Sequence, residues 1–362
     1  MSSFTLQCNL DLGIAKHYAP GATMLVHQLG NDPIMLASGS FNYDYDSTTV
    51  DIYSLFDLAS ITKCVGTTTI VMWLYDKGLL DLDKPLVDYF PEFGQAHPEQ
   101  KSWRSKVTIR HLLAHCSGLP PFLKFYATHA HLTDWHQRRS LILSTQLVTE
   151  PGTKEAYSDI GFMILGELIR ELTGRRIDDV ARDIFVRQLL MVQTFYNLLP
   201  AGWNHCVPTE MKADDEKSYW QGIVHDENAR WLEGAAGHAG LFSSIVDLDK
   251  YGKAMLTGGA GLFSQKTIDL FTQRANIVPG SSRCLGWDSP EQPSSGGKYV
   301  SPTAFGHTGF TGTSFWMDPE YGMIVALLTN AVHPKRECKN NGYFPWRNDM
   351  HSLAYKTILN LG

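Results

Sequence analysis

The sequence predicts a mixed α/β (α+β) fold in which one antiparallel sheet is built from both ends of the chain. A hairpin pattern near the start, helical periodicity through the middle and a second hairpin pattern near the end all support this prediction. The chain has 362 residues, more than one hydrophobic core usually serves. We therefore expect a discontinuous sheet domain at 1–58 and 235–362, with an all-helical insert at 59–234.

The opening elements are a hairpin followed by a helix. The runs "ATMLVHQLG" (22–30) and "PIMLASGSF" (33–41) are apolar and are separated by a Gly-Asn-Asp turn signal. The stretch from Leu55 to Lys77 then has an apolar helical pattern. It is followed by Gly78, the residue type favoured just after a helix end.

The middle of the chain is predicted to be helical. Residues 107–121, "VTIRHLLAHCSGLPP", indicate a short helix that stops at Gly118 and Pro120. Residues 156–174 place apolar side chains at helical spacing and end at Gly174, which is typical of an amphipathic helix. Helical signals continue to about Leu190.

The last part of the chain returns to strand character. "FGHTGFTGTSFWMDPE" (305–320) and "GMIVALLTNAV" (322–332) flank a turn and predict a second hairpin. Residues 288–303, rich in Pro, Gly and Ser, predict a long loop before it.

Composition narrows the function classes. The chain is 43% hydrophobic and 19% charged, with 31 Lys+Arg against 37 Asp+Glu and a net charge of -6. It has no basic run typical of nucleic-acid binding and no apolar stretch of about 18 residues for a membrane span. The N-terminal residues lack the basic and apolar pattern of an export signal, so we expect a cytoplasmic location. A periplasmic or secreted location is the alternative if an export signal has been removed. The six cysteines lack metal-ligand spacing, and we expect free thiols: Cys8, Cys64, Cys116, Cys206, Cys284 and Cys338.

A serine and a lysine three residues apart, Ser60 and Lys63, begin the Leu55–Lys77 pattern. On a helix they share a face, and the free N–H groups of a helix start favour a developing oxyanion beside the serine. The lysine activates the serine only if it is neutral or its proton is shared with another base. The spacing recurs at Ser295 and Lys298, in a loop that would not hold the geometry. Taken alone, the motif favours an N-cap serine and a solvated lysine over a catalytic pair.

Two further triplets favour a catalytic role for Ser60 and Lys63. Tyr157-Ser158-Asp159 begins a predicted helix, and His307-Thr308-Gly309 lies on a predicted strand. The order S-x-x-K, Tyr triplet and K-T-G-like triplet resembles that of the family of class C β-lactamases, D-alanyl-D-alanine peptidases and related esterases. The stretches 108–120, 156–174, 236–244, 285–287 and 305–322 also resemble segments of that family, and the likeness extends from about 21 to 333.

The resemblance implies a β-lactamase/transpeptidase-like fold with the active site where sheet and helical insert meet. It implies a serine hydrolase that forms an acyl-enzyme on Ser60 with no cofactor and no metal. Lys63 would activate the serine, and Tyr157 would pass the proton to the leaving group and later activate water. The oxyanion hole would be the backbone N–H groups of Ser60 and Phe310.

The triplets depart from the family pattern at two positions. Asp159 stands where many members have asparagine, and its carboxylate would keep Lys63 charged and leave Tyr157 as the base. His307 stands where lysine is usual, and histidine is mostly neutral near pH 7. We predict that Asp159, His307, Thr308, Gly309 and His238 bind substrate.

The stretch 224–244 resembles a subgroup that includes muropeptide amidases. By that resemblance, four polar residues border the cleft: His225, Asp226, Glu227 and Asn228. A capped turn with a satisfied histidine is the plainer interpretation.

The expected substrate is a peptidoglycan-related peptide or a muropeptide, bound as a small-molecule or peptide partner. A carboxylesterase or a weak β-lactamase is an alternative within the same chemistry. A non-catalytic module that binds penicillin or muropeptide, and a metal-dependent hydrolase using His225, His238 or His307, are alternatives of other classes. Chelator sensitivity would separate the last from a serine hydrolase.

Overall fold

The computed structural model describes residues 3–197, 200–213 and 215–361. Its helices are α1 (Ser3–Ala15), α2 (Thr69–Asp76), α3 (Pro91–Gln95), α4 (Lys101–Arg104), α5 (Ile109–Leu113), α6 (Phe125–Thr128), α7 (Trp135–Leu143), α8 (Asp159–Thr173), α9 (Ile177–Arg182), α10 (Glu227–Trp231), α11 (Ile245–Leu256), α12 (Gln265–Thr272) and α13 (Tyr343–Leu359). Its strands are β1 (Gly21–Gln28), β2 (Ile34–Gly39), β3 (Phe56–Asp57), β4 (Phe195–Tyr196), β5 (Met211–Lys212), β6 (Asp215–Tyr219), β7 (Leu241–Ser243), β8 (Phe305–Gly309), β9 (Thr313–Asp318) and β10 (Met323–Thr329).

The central sheet joins the two ends of the chain, as predicted. It has five strands in the order β2-β1-β10-β9-β8, and every neighbouring pair is antiparallel. The contact between the chain ends is the β1–β10 pair, in which Ala22 lies opposite Thr329 and Gln28 opposite Met323. Both predicted hairpins, β1–β2 and β9–β10, are present.

The sheet is covered on both faces, because apolar side chains point to both sides of β1 and β10. Met24 and Val325 belong to the cluster that packs under α1 and α13. Leu25 and Ile324 belong to the large core on the other face, where α11 packs. Neither α1 nor α13 was expected from the sequence patterns.

The insert at 59–234 is mainly helical, but it also contains the short strands β4, β5 and β6. Strand β4 pairs with β7, which also pairs with β3. This small sheet forms because Phe195 and Tyr196 extend an edge that would otherwise leave backbone groups unpaired. The domain division at 58 and 235 remains a prediction.

The helix expected from Leu55 begins later, and this part of the prediction is wrong. Phe56 and Asp57 form β3, and Ala59 has a φ of 47°, outside the helical region. Helical structure begins with a π-helical stretch, Thr62–Thr68, which continues as α2. The end was predicted correctly, since Gly78 adopts a φ of 69°. The long strand expected from Phe305 is also two strands, because a turn at 310–312 separates β8 from β9.

Two further expectations can be compared with the described residues. All six cysteines are free thiols. No helix among the described residues is long and apolar enough to cross a membrane.

Candidate active site

Ser60 lies at a sharp turn between β3 and the helical stretch that leads into α2. The Asp57 carboxylate accepts a hydrogen bond from the Ala59 N–H at 2.8 Å, and this contact helps hold the positive φ of Ala59. The turn places the Ser60 side chain in a cavity immediately before the first helical residues. The serine is therefore presented by a fixed backbone bend.

Lys63 is buried directly beside the serine, with 1% of its surface exposed. Its Nζ donates to Ser60 Oγ at 3.0 Å and to the carbonyl oxygen of His238 at 3.1 Å. The same Nζ lies 2.7 Å from Asp159 Oδ1. Lys63 therefore links the serine to a carboxylate, which a solvated surface lysine would not do.

The surroundings of Lys63 and Tyr157 favour the protonated form of each side chain. Burial alone would lower the pKa of Lys63, but Asp159 and Tyr157 together raise the pKa above its ordinary value. Burial raises the pKa of Tyr157 to about 12; Lys63 opposes this shift and Asp159 adds to it. The phenol is therefore neutral at rest. Its buried hydroxyl interacts with Lys63 and Ser60, but neither contact has the geometry of a full hydrogen bond.

The Tyr157–Asp159 triplet is held at the start of α8. Ser158 caps this helix by accepting from the Gly161 N–H at 3.2 Å, and the Ser158 N–H donates to His115 Nδ1 at 2.9 Å. The His115 ring also lies 4.4 Å from the Tyr157 ring, centroid to centroid. Sequence reasoning did not assign His115 a role, because its contact with the triplet depends on the tertiary fold.

The end of β8 packs against the turn that carries Ser60. A Cβ at Gly309 would lie 2.5 Å from the Leu58 carbonyl oxygen, so only glycine fits there. Thr311 Oγ1 donates to the Asp57 carbonyl oxygen at 2.7 Å. Within the described part of the chain, the N–H groups of Ser60 and Phe310 donate to no other group. Both are thus available to bind an oxyanion.

A cavity of about 320 Å³ opens onto Ser60. Its lining combines the serine, several charged side chains and two half-exposed phenylalanines. The lining residues are Ala59, Ser60, Pro121, Phe122, Tyr157, Asp159, His225, Asp226, Glu227, His238, Ala239, Phe310 and Arg336. A cleft of this size and mixed polarity is typical of a small-molecule site.

The predicted cleft stretch is only partly in the cleft. His238 Nε2 lies 2.9 Å from Asp226 Oδ1, and His225 Nε2 lies 3.0 Å from Glu210 Oε2. Asn228 does not line the cavity and is fully buried. Its Nδ2 donates to the Leu123 carbonyl oxygen, and its Oδ1 accepts from the Tyr126 N–H. Among the described residues, no group of three or more His, Cys, Asp or Glu side chains could hold a metal ion.

Arg336 is a cleft residue that the motifs did not predict. Its Nη2 contacts Glu210 Oε2 at 2.7 Å and Glu227 Oε1 at 2.8 Å. No local signal marks it, because it lies more than a hundred residues from both partners in the sequence.

His307, Thr308 and Gly309 are the last residues of β8 and do not line the cavity. The His307 ring lies behind Tyr157, with 5.7 Å between the ring centroids. Burial, reinforced by the cations of Lys63 and Arg283, lowers the pKa of His307, although Asp288 opposes this shift. His307 is therefore neutral at pH 7 and does not replace the cation of a lysine.

A comparison with protein-family models identifies the family to which this active site belongs. The family model "Beta-lactamase" matches residues 13–343. The chain belongs to the beta-lactamase family. It is therefore a serine hydrolase of the beta-lactamase family, and the resemblance of its motifs and its predicted fold are confirmed.

Relatives in the beta-lactamase family include peptidoglycan enzymes. The chain is 33% identical over 307 residues to the N-acetylmuramyl-L-alanine amidase of Bacillus subtilis, covering 77% of this chain and 68% of the relative. It is 30% identical over 305 residues to a putative D-alanyl-D-alanine carboxypeptidase of Escherichia coli, covering 77% of this chain and 70% of the relative. The structure of EstCE1, a hydrolase with promiscuous acyltransferase activity, has a similar fold: the TM-score is 0.76 at 19% identity, covering 96% of this chain and 98% of the other.

Proposed function

We propose that the protein hydrolyses an amide bond in a peptidoglycan-derived muropeptide through an acyl-enzyme on Ser60. The observation that carries this proposal is the contact of Lys63 Nζ with both Ser60 Oγ and the Asp159 carboxylate. A buried lysine in this position can stabilise the alkoxide that forms on the serine.

In the proposed mechanism, the reactive form has lost one proton from the Lys63–Tyr157–Asp159 group. Tyr157, as phenolate beside the charged Lys63, takes the proton of Ser60 as Oγ attacks the amide carbonyl. The tetrahedral oxyanion is bound by the N–H groups of Ser60 and Phe310. Tyr157 then gives its proton to the leaving amine, and its phenolate later activates the water that releases the acyl group from Ser60.

The charges of the cleft support a substrate without a carboxylate beside the bond that is cut. Lys63 is paired with Asp159, and Arg336 is shared by Glu210 and Glu227. Each of these cleft cations thus has a carboxylate partner, and His307 is neutral. A D-alanyl-D-alanine terminus and a penicillin both carry such a carboxylate, which would meet no free cation among the described residues that line the cleft.

An amide between a muramyl lactyl group and L-alanine has no carboxylate at that position, which fits the amidase among the relatives. A carboxylester lacks it too, so carboxylesterase activity is our second candidate, and weak β-lactamase activity ranks below both. A module that binds muropeptide without cutting it is the remaining alternative. The cytoplasmic location is also a proposal, and cell fractionation tests it.

The decisive experiment compares four substrates with wild type and Ser60→Ala. The substrates are N-acetylmuramyl-L-alanyl-D-isoglutamine, a D-alanyl-D-alanine peptide, a penicillin and a p-nitrophenyl ester. We expect Ser60-dependent release of the peptide from the muramyl compound and slower reaction of the two carboxylate substrates. Faster cleavage of the D-alanyl-D-alanine peptide would overturn the substrate assignment, and binding without turnover of any substrate would favour the binding module.

A further inference from the structure

Lys339 is a buried cation with no carboxylate beside it. It lies in the 3₁₀ turn Arg336–Asn340, and only 8% of its surface is exposed. In the described part of the chain it forms no ion pair with an acidic side chain. Burying an ammonium without a counter-charge is unfavourable, so its position is not explained by fold stability.

Among the described residues, the hydrogen bond and the ring contact of the Lys339 ammonium both go to Phe310. Its Nζ donates to the Phe310 carbonyl oxygen at 2.8 Å and lies 3.0 Å from the centroid of the Phe310 ring. Phe310 follows β8 and carries one of the two N–H groups available at Ser60. The ring is also stacked on His225, with 5.6 Å between the centroids.

These contacts hold the Phe310 main chain at its carbonyl group. The N–H of Phe310 belongs to the peptide unit after Gly309, which is wedged against Leu58. The carbonyl held by Lys339 belongs to the next unit, whose other residue, Thr311, is tied to Asp57. Lys339 therefore fixes the torsion between the two units, and with it the direction of the N–H.

We propose that Lys339 is a positioning residue that keeps the N–H of Phe310 directed at the oxyanion formed on the Ser60 acyl centre. This inference rests on the proposed function, since it needs an oxyanion at Ser60. A donor aligned before the reaction stabilises the transition state far more than the bound substrate. Lys339 should therefore contribute to kcat and contribute little to KM.

The charge of Lys339 makes its contact with the Phe310 ring depend on pH. Burial lowers its pKa to about 8; Arg336 and Arg347 add to this shift, and Glu210 opposes it. Above that pH the amine still donates a hydrogen bond, but its attraction to the Phe310 ring is lost. Other ionisable side chains also lie near the ring. Arg336 lies 5.9 Å from the ring centroid and pairs with Glu227, and the His225 ring contacts Glu210.

The experiment compares Lys339→Met, Lys339→Arg and the control Lys335→Met on the p-nitrophenyl ester and the muramyl dipeptide. Lys335 is exposed, lies four residues earlier and starts the same turn. We expect Lys339→Met to lower kcat by about 10- to 100-fold with KM within about threefold of wild type. Lys339→Arg, which keeps a charged donor, should recover part of the loss, and Lys335→Met should match wild type.

The pH profile provides a second test, in which dividing by the kcat of Lys339→Met removes the ionisation of the Lys63–Tyr157–Asp159 group. The ratio of the wild-type kcat to that of Lys339→Met should fall above about pH 8, and the ratio of Lys339→Arg to Lys339→Met should not. A wild-type ratio that does not fall there, or a folded Lys339→Met with the kcat of Lys335→Met, overturns the inference while Ser60-dependent activity persists. Full activity in Ser60→Ala would instead remove the proposed function itself.

Discussion

Replacing Asp159 by asparagine should move the pH at which the enzyme becomes active. The reactive form of the proposed mechanism has lost one proton from the Lys63–Tyr157–Asp159 group. The Asp159 charge raises the pKa of both Lys63 and Tyr157. Asparagine is nearly the same size but uncharged, so Asp159→Asn should lower both pKa values.

The contact distance sets the size of the shift. Asp159 Oδ1 lies 2.7 Å from Lys63 Nζ, and the two side chains are 18% and 1% exposed. Opposite charges within ~4–6 Å typically change a pKa by about 1–3 units, which corresponds to about 1.4–4 kcal/mol. We therefore expect the rising limb of activity to move down by about 1–3 pH units in Asp159→Asn.

The measurement is kcat/KM against pH, which reports the ionisations of the free enzyme. A neutral p-nitrophenyl ester avoids titration of the substrate. At high pH, Asp159→Asn should turn over somewhat more slowly than wild type, because a base of lower pKa is a weaker base. Glu227→Gln is the matched control: this carboxylate also lines the cleft but pairs with Arg336, so the limb should stay where it is in wild type. An unchanged limb in Asp159→Asn would show that the carboxylate does not control the reactive proton.

The other predictions concern single side chains of the same site. A fluorophosphonate probe should label Ser60, and intact-mass spectra should show no adduct on Ser60→Ala; equal labelling of both would remove Ser60 from the mechanism. Tyr157→Phe should lower kcat by at least about 100-fold, because a general base is lost, with an unchanged melting temperature because its hydroxyl makes no full hydrogen bond; near-wild-type turnover would assign the base role to Lys63. His307→Lys should increase the rate of acylation by penicillin, measured by stopped flow, since it adds a permanent cation, and no increase would argue against a carboxylate-binding role at this position. Gly309→Ala should lower kcat, because the added methyl group would meet the Leu58 carbonyl, and unchanged kinetics would show that the turn tolerates the shift.

The sequence was most informative where local chemistry decides the structure. Gly78 and Gly174 end their helices at positive φ, and both ends were predicted from residue type alone. The start of the helix expected from Leu55 was misplaced, because Asp57 stabilises a bend that no apolar pattern reveals. The order of the three motifs was enough to predict the family and the fold.

The residues that surround the motifs were not predictable in the same way. Arg336 reaches the cleft, and Lys339 reaches Phe310 beside it, only because the chain after β10 returns past this side of the protein. His115 supports the Tyr157 triplet from a turn that appeared to be an ordinary helix face. Asn228, expected at the cleft, is instead used inside the protein to hold the backbone near Leu123. Such assignments depend on contacts between distant segments, which one sequence does not encode in a local pattern.

The pairing of β1 with β10 has a consequence for the protein while it is being made. The turn with Ser60 leaves the ribosome early, but β8, Phe310 and Lys339 follow roughly 250 or more residues later, and domains generally fold only once their parts are complete. Strand β1 cannot pair until β10, some 300 residues further along the chain, has been synthesised, so this pairing is slow to form. Unfinished chains should therefore carry the nucleophile without its anion-binding amide. A cell that stalls in translation would accumulate fragments that cannot hydrolyse anything.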